Sequence, residues 1–198
     1  MIRSIYCSRD AICEAYSLRD SKCSSISGLG GEGCASIDTT NIHAAGIEAG
    51  KIMSAVDNQP KEMKDWLLWA YGPISYSLKH REAALDCVCE RVDFSEWCNG
   101  RRDAMKVRGS IIVEAAMMNH RATSLDVARK YRKPAHWNNA VRQISGGQVG
   151  ICTNQFNREY SALIERVDTA CHALDAVSLG PVSAALAQVR AYRGEAAA

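Results

Sequence analysis

The sequence has no apolar run close to the roughly 20 residues that a helix needs to cross a bilayer. Its start, MIRSIYCSRD, also lacks the apolar stretch of a secretory signal peptide. Only four of the 198 residues are proline, and β-branched residues do not alternate with polar ones over as many as about five positions. These absences predict a cytoplasmic chain without a membrane partner, and an all-α fold.

Cysteine pairs of the CxxC type are also missing, although the chain has nine cysteines. An odd count without a secretory signal argues against a disulfide framework, so we expect reduced thiols that pack as small apolar side chains. One possible zinc set is His80 with Cys87, Cys89 and Cys98, but Cys87 and Cys89 point apart on a helix. We therefore expect no metal site and no cofactor.

Signals for catalysis are weak as well. The five histidines and nine cysteines make chance Cys-His pairs unavoidable, so such pairs do not identify a thiol enzyme. The Gly-rich stretch GLGGEG is neither preceded by a strand nor followed by GK[ST], so it does not indicate a phosphate-binding loop. The chain is expected to have no catalytic residues and not to be an enzyme.

Three segments differ in character: a Ser-, Gly- and Cys-rich segment at 1–38, a helical subdomain at 39–100 and a basic helical region at 101–198. The first is expected to be loosely ordered, with a short helix over 8–18 as its strongest local signal. Apolar periodicity predicts the other helices. They span about 39–57, 60–71, 76–92, 102–119, 125–131, 136–144, 153–174 and 182–192.

Pro60, Gly72-Pro73 and Leu179-Gly180-Pro181 mark predicted helix boundaries, and Thr123 or Ser124 is the predicted cap of the helix at 125–131. The predicted packing residues include the stripe Met63, Trp66, Leu67, Ala70 and Tyr71, then Leu78, and Val107, Ile111, Ala115 and Met118 of the helix at 102–119.

Positive charge is concentrated in residues 101–143, which hold ten Lys and Arg against three acidic residues, a net +7. The other 155 residues hold fourteen basic and nineteen acidic side chains, a net −5. A cationic segment in a nearly neutral protein is typical of a surface that binds a polyanion, although a solvated basic face without a partner gives the same pattern.

The stretch GICTNQFNR at 150–158 resembles the turn and recognition helix of helix-turn-helix DNA-binding proteins. Gly150 would take the positive φ of the turn, while Ile151 and Phe156 would anchor the second helix on the core. Asn and Gln can bond adenine, and Arg can bond guanine. The predicted base-reading residues, exposed at the start of that helix, are Thr153, Asn154, Gln155, Asn157 and Arg158.

Basic residues before this stretch would contact phosphates and so fix the register on double-stranded DNA without reading its sequence. The predicted phosphate-binding residues are Arg129, Lys130, Arg132, Lys133 and Arg142. A second helix-turn-helix candidate starts at Ser124 and continues into the helix at 136–144, but Lys133-Pro134 makes its turn less typical.

Taken together, the chain resembles the Q-type late-gene antitermination proteins of bacteriophages. The resemblance rests on WLLWAYGP at 66–73, the basic central helices and GICTNQFNREY at 150–160. It implies a transcription regulator that binds DNA near a late promoter and joins a paused bacterial RNA polymerase, which then reads through terminators. The paired CxxC zinc module of some members is missing from this sequence.

Two alternatives remain open at the level of sequence. A non-enzymatic interaction or assembly protein would use its Met- and Trp-bearing helices as a protein interface and its basic residues for solubility. A zinc-dependent or thiol enzyme would need ligands that the spacing does not reveal. The oligomeric state and the DNA target are not encoded in any pattern that we recognise.

Overall fold

The computed structural model describes residues 7–25, 39–124, 131 and 133–196. Over these residues the chain forms α-helices and no strand, which confirms the predicted all-α class. The helices are α1 (Ser8–Ser25), α2 (Thr39–Asp57), α3 (Lys61–Tyr71), α4 (Ile74–Arg91), α5 (Phe94–Cys98), α6 (Asp103–Ser124), α7 (Pro134–Ile144) and α8 (Phe156–Ala196). Helix α1 extends past the helix predicted at 8–18, so the loose order predicted for this segment is wrong for residues 19–25. Residues 26–38, and residues 125–130 of the helix predicted at 125–131, lie outside the described residues.

The chain divides into two compact units. The terminal unit comprises Met1–Arg81 and Ala176–Ala198, and the central unit is Glu82–Asp175. The chain passes from one unit to the other within α4 and returns within α8. The two units are defined by contacts within the fold, whereas the boundaries predicted at 38 and 100 rest on changes in composition and charge. The division does not test those boundaries, which remain predictions.

Helix α3 supplies much of the core of the terminal unit. Its predicted apolar stripe is confirmed, since Trp66, Leu67 and Ala70 are fully buried and Tyr71 is nearly so. The Trp66 and Trp69 rings lie 5.2 Å apart, within the range of favourable aromatic contacts. The predicted ends of this helix are also confirmed, because Pro60 precedes it and Gly72-Pro73 follows it.

Asp57, the last residue of α2, joins three helices of the terminal unit. Its Oδ1 accepts a hydrogen bond from the Tyr16 hydroxyl at 3.0 Å and lies 2.8 Å from Lys64 Nζ. Partial burial alone would raise the pKa of Asp57, but the bonds from Lys64 and Tyr16 outweigh burial and lower it. Burial and the same carboxylate raise the pKa of Tyr16. The cluster therefore keeps Asp57 ionised and Tyr16 protonated.

Helix α8 differs from the prediction, which placed a break at Leu179-Gly180-Pro181. The helix continues through Pro181, although proline lacks the N–H that would bond to Val177. One turn earlier, Gln59 Nε2 donates a hydrogen bond to the Ser178 carbonyl at 3.0 Å. A side chain from outside the helix thus supplies a donor in the turn where the backbone ladder is interrupted.

The core of the central unit is a chain of aromatic rings. Trp137 lies 5.2 Å from Tyr131 and 5.8 Å from Phe156, which in turn lies 5.8 Å from Tyr160. Trp97 follows at 6.2 Å from Tyr160. These rings connect α5, α7 and the start of α8.

Glycine at position 109 lets Trp97 pack directly against α6. A Cβ at Gly109 would overlap the indole ring of Trp97. The glycine is buried in the middle of its helix, where glycine costs about 1 kcal/mol relative to alanine. The close packing of Trp97 explains why a glycine occupies position 109.

The packing face and the end predicted for α6 are wrong in part. Val107 and Met118, expected in the core, are exposed, whereas Ile112, Val113 and Met117 are buried. Residues 111–118 are apolar apart from Glu114, so their periodicity does not single out one face. Thr123 and Ser124, predicted to cap a following helix, instead belong to the last turn of α6.

By length and composition, one helix among the described residues could cross a membrane. It is the Phe156–Tyr192 part of α8, whose most apolar window has a mean hydropathy of 1.3 and is 44% buried within the protein. The core helix of a globular protein passes the same test, so this evidence is weak. The expectation of no membrane segment stays a prediction.

Candidate nucleic-acid interface

An eleven-residue connection, 145–155, joins α7 to α8. The turn of a helix-turn-helix has about three or four residues, so that motif is not confirmed. The chain reverses at Gly146 and Gly147, whose φ angles are 61° and 85°, whereas Gly150 has no positive φ. The prediction for Gly150 was therefore wrong, because the preceding pair of glycines makes the turn.

Hydrogen bonds hold this connection against α7. The Gly147 N–H donates to the Arg142 carbonyl at 2.6 Å, and the Val149 N–H donates to Ser145 Oγ at 3.0 Å. Further along, the Ile151 N–H donates to Asn138 Oδ1 at 2.9 Å. Although it is long, the segment therefore has defined partners on the preceding helix.

The five predicted base-reading residues are all exposed. Thr153, Asn154 and Gln155 form a turn before α8, which begins three residues later than predicted, and Asn157 and Arg158 lie in its first turn. The predicted anchors are buried, with Ile151 at 7% and Phe156 at 4% exposure. The sequence thus predicted correctly which side chains face outward, but not that three of them precede the helix.

The structure tests only part of the predicted phosphate-binding set. Arg129, Lys130 and Arg132 lie outside the described residues. Lys133 immediately precedes α7 and Arg142 lies in its last turn, and both are exposed. Nine residues correspond to about two and a half helical turns, so these two side chains leave α7 on opposite sides.

Sequence reasoning did not assign a role to the arginines around the start of α6. Arg101, Arg102 and Arg108 line one cavity of about 420 Å³ together with Glu159 from the first turn of α8. Arg108 lies in α6, whereas Arg101 and Arg102 precede the helix. Helical spacing in the sequence therefore could not have identified this set, which depends on the turn before α6.

Trp97 and Tyr160 lie next to arginines that line this cavity. The Arg101 guanidinium lies 4.3 Å from the centre of the Trp97 ring, a cation–π contact. Arg101 Nε is buried and has no hydrogen-bond partner among the residues that the structure describes. Burial raises the pKa of Tyr160, and the nearby Arg108 and Arg101 reduce the size of that shift.

Metal-binding geometry occurs elsewhere in the central unit. Within the part of the chain that the structure describes, the zinc set considered from the sequence does not form a group of close ligand atoms. Burial, with Asp86 and Cys98, raises the pKa of the Cys89 thiol to about 11. His80 belongs to the terminal unit, where its Nδ1 lies 2.6 Å from Asp65 Oδ1. Among the described residues, His120, Asp168 and His172 do bring three ligand atoms together.

Comparisons with protein families, with curated proteins and with solved structures find no match to this chain.

Proposed function

We propose that the chain is a sequence-specific DNA-binding transcription regulator whose central unit contacts DNA. The observation that carries this proposal is the arginine cavity. Its three arginines meet Glu159, which directly follows the exposed Asn157 and Arg158 in the first turn of α8. Guanidinium groups suited to phosphates therefore occur near the end of α8 that also exposes amide and guanidinium groups suited to base edges.

The arginines and the start of α8 have distinct roles in this proposal. Arg101, Arg102 and Arg108 bind the phosphate backbone and set the register, and Asn157 and Arg158 read bases. Backbone N–H groups at the start of α8 favour a neighbouring phosphate. Glu159 lines the same cavity, so its carboxylate would lie near a phosphate that the arginines bind.

Action on bacterial RNA polymerase as an antiterminator is part of the same proposal. It is supported only by the resemblance of residues 66–73 and 150–160 to the phage antitermination proteins. The test is capture of the tagged chain from bacterial lysate with and without nuclease. RNA polymerase subunits that remain bound after nuclease treatment would support a protein contact, and their complete absence from both samples would contradict it.

DNA binding is tested with a pool of random-sequence duplexes. The full chain captures duplexes from this pool over several rounds of selection. We expect enrichment of one motif, whose affinity falls steeply with salt as neutralised phosphates release counterions. Failure to enrich any motif, combined with binding that does not depend on salt, would overturn the proposal.

A protein-interaction role is the second candidate, and an apolar groove in the terminal unit favours it. The groove has a volume of about 950 Å³ and is lined by side chains that include Ile47, Met63, Val177 and Pro181. Ile47 and Val177 are 60% and 63% exposed, which is unusual for large apolar residues. A homo-oligomer without affinity for the duplex pool would favour this role over DNA binding.

A further inference from the structure

Two helices of the central unit bring two imidazoles and a carboxylate together. His120 comes from α6, and Asp168 and His172 come from α8. Their candidate ligand atoms all lie within 4.8 Å of one another. The centres of the His120 and His172 rings are 4.6 Å apart, and the rings are nearly perpendicular.

The sequence spacing along α8 brings two of the three residues of this cluster together. Asp168 and His172 are four residues apart, so their side chains lie on one face of the helix. Asp175 follows seven residues after Asp168, two turns further along the same face. One face of α8 therefore presents three groups, and α6 presents His120 to them.

Both ring nitrogens of His120 face carboxylates. Nε2 lies 3.1 Å from Asp175 Oδ2, and Nδ1 lies 3.5 Å from Asp168 Oδ1. His120 and Asp175 are 3% and 4% exposed. Nε2 also lies 3.3 Å from Ser124 Oγ. With Nε2 facing these two partners, Nδ1 is the ring nitrogen directed toward the partly exposed Asp168 carboxylate.

The distances suit a metal ion held by His120, Asp168 and His172. Bonds of about 2.0–2.2 Å to nitrogen and oxygen place neighbouring ligand atoms of a tetrahedral site about 3.4 Å apart. His120 Nδ1 lies 3.5 Å from Asp168 Oδ1, and His172 Nε2 lies 3.8 Å from Oδ2, the other oxygen of the same carboxylate. With one ligand atom taken from each residue, the three atoms lie within 4.8 Å of one another. The side chains of His172 and Asp168 are 68% and 41% exposed, which gives an ion a path from solvent.

We propose that the protein binds one divalent transition-metal ion of the zinc class through His120, Asp168 and His172. Asp175 is a positioning residue, because its bond to Nε2 orients the ring and leaves Nδ1 as the ligand atom. Two imidazole ligands favour zinc over magnesium or calcium, which prefer oxygen. A fourth, solvent-facing position is left for water. The site departs from the expectation of no metal and does not depend on DNA binding.

Binding is tested on the full, untagged chain after chelator treatment and dialysis. Titration with zinc chloride, followed by calorimetry and by thermal unfolding, should give one ion per chain and a higher Tm, since a ligand of the folded state stabilises it. Magnesium chloride at the same concentrations should leave Tm unchanged. Absence of zinc binding would overturn the proposal, and an equal response to magnesium would also contradict it.

Variants distinguish zinc binding at this histidine cluster from zinc binding at any of the nine cysteines. His172→Ala alters a mostly exposed side chain and should weaken zinc binding at least tenfold, whereas the control His136→Ala, on exposed α7 surface, should bind like the wild type. Asp175→Asn should weaken it about 10–100-fold. Cobalt should give a tetrahedral visible spectrum without thiolate absorption. Unchanged affinity in His172→Ala, or a thiolate band, would show that zinc binds elsewhere.

Discussion

The terminal and central units carry the same net charge but use it differently. The terminal unit has eleven Lys and Arg against ten acidic residues, and the central unit has thirteen against twelve, so each is +1. In the terminal unit, Asp57 is paired with Lys64, and Asp65 with His80. In the central unit, three arginines share one cavity and two carboxylates share one buried histidine. Net charge does not distinguish the two units, whereas the grouping of charges does.

This grouping explains why function is assigned to the central unit. Paired charges stabilise helices and leave little potential at the surface, whereas grouped charges of one sign attract a ligand of the opposite sign. The terminal unit offers an apolar groove and the central unit offers cationic and metal-binding groups. Substitutions in the two units should therefore affect different properties.

The largest effect is expected on the stability of the terminal unit. Trp66→Ala removes a completely buried side chain and should lower the free energy of unfolding by about 3–5 kcal/mol, measured by urea unfolding. Leu78→Ala is the control. Leu78 is 68% exposed, against the prediction that it packs in the core, so its loss should cost less than about 0.5 kcal/mol. If Trp66→Ala and Leu78→Ala lower the free energy of unfolding equally, the core described for this unit is wrong.

Arg158→Ala should produce the next largest effect, on DNA binding by the central unit. We expect a loss of about 1–3 kcal/mol on the selected motif and relaxed base preference, measured by fluorescence anisotropy. Arg102→Ala should instead weaken all sequences and reduce the salt slope by about 0.9. Arg190→Ala removes the same charge from the terminal unit and should change neither. If the three variants behave alike, the assignment of DNA contacts to the central unit is wrong.

Pro181→Ala should stabilise the terminal unit. Proline inside a helix costs about 3 kcal/mol relative to alanine, but alanine also frees the unfolded chain, which offsets up to about 1 kcal/mol. We therefore expect a gain of about 1–2 kcal/mol and a higher Tm. Gly180→Ala, which has open space around the added methyl, should stabilise by up to about 1 kcal/mol. Destabilisation by both changes would contradict a continuous α8.

Asp57→Asn should have the smallest effect, and one that depends on pH. The pKa of Asp57 is lowered in the folded state, so its contribution is present above the unfolded value of about 3.9 and is lost as the pH falls through the folded pKa. Urea unfolding from pH 6 to pH 2 should show this loss in the wild type and less of it in Asp57→Asn. Asp103→Asn, an exposed partner of Lys106, is the matched control. A similar pH dependence in all three proteins would contradict the role given to Asp57.

The fold could be predicted from the sequence where local chemistry determines structure. Pro60 and Gly72-Pro73 flank α3 as predicted, because proline lacks the N–H that continues a helix. Gly180 and Pro181, which are the same residue types, do not end α8. The helix accommodates them in a turn where Gln59 donates a hydrogen bond to its backbone. The face of α6 was mispredicted because its apolar residues surround the helix. Tertiary contacts decided both cases.

The candidate sites show the same limit. Exposure of Asn157 and Arg158 follows from the burial of Phe156, which periodicity predicts. The histidine cluster could not be predicted in this way, because His120 and Asp168 are distant in sequence and meet only through packing of α6 on α8. The spacing of Asp168, His172 and Asp175 on one helix face was visible in the sequence, but it lacked a partner until the fold supplied His120.

The contact between Arg101 and Trp97 gives the arginine cavity an optical reporter. Indole emission depends on nearby charge, and the guanidinium lies 4.3 Å from the ring centre. Occupation of the cavity by a phosphate group would change that local field and hence the emission of Trp97. Three other tryptophans contribute to the total signal, so a protein in which they are replaced by phenylalanine would report on this one position without an added dye.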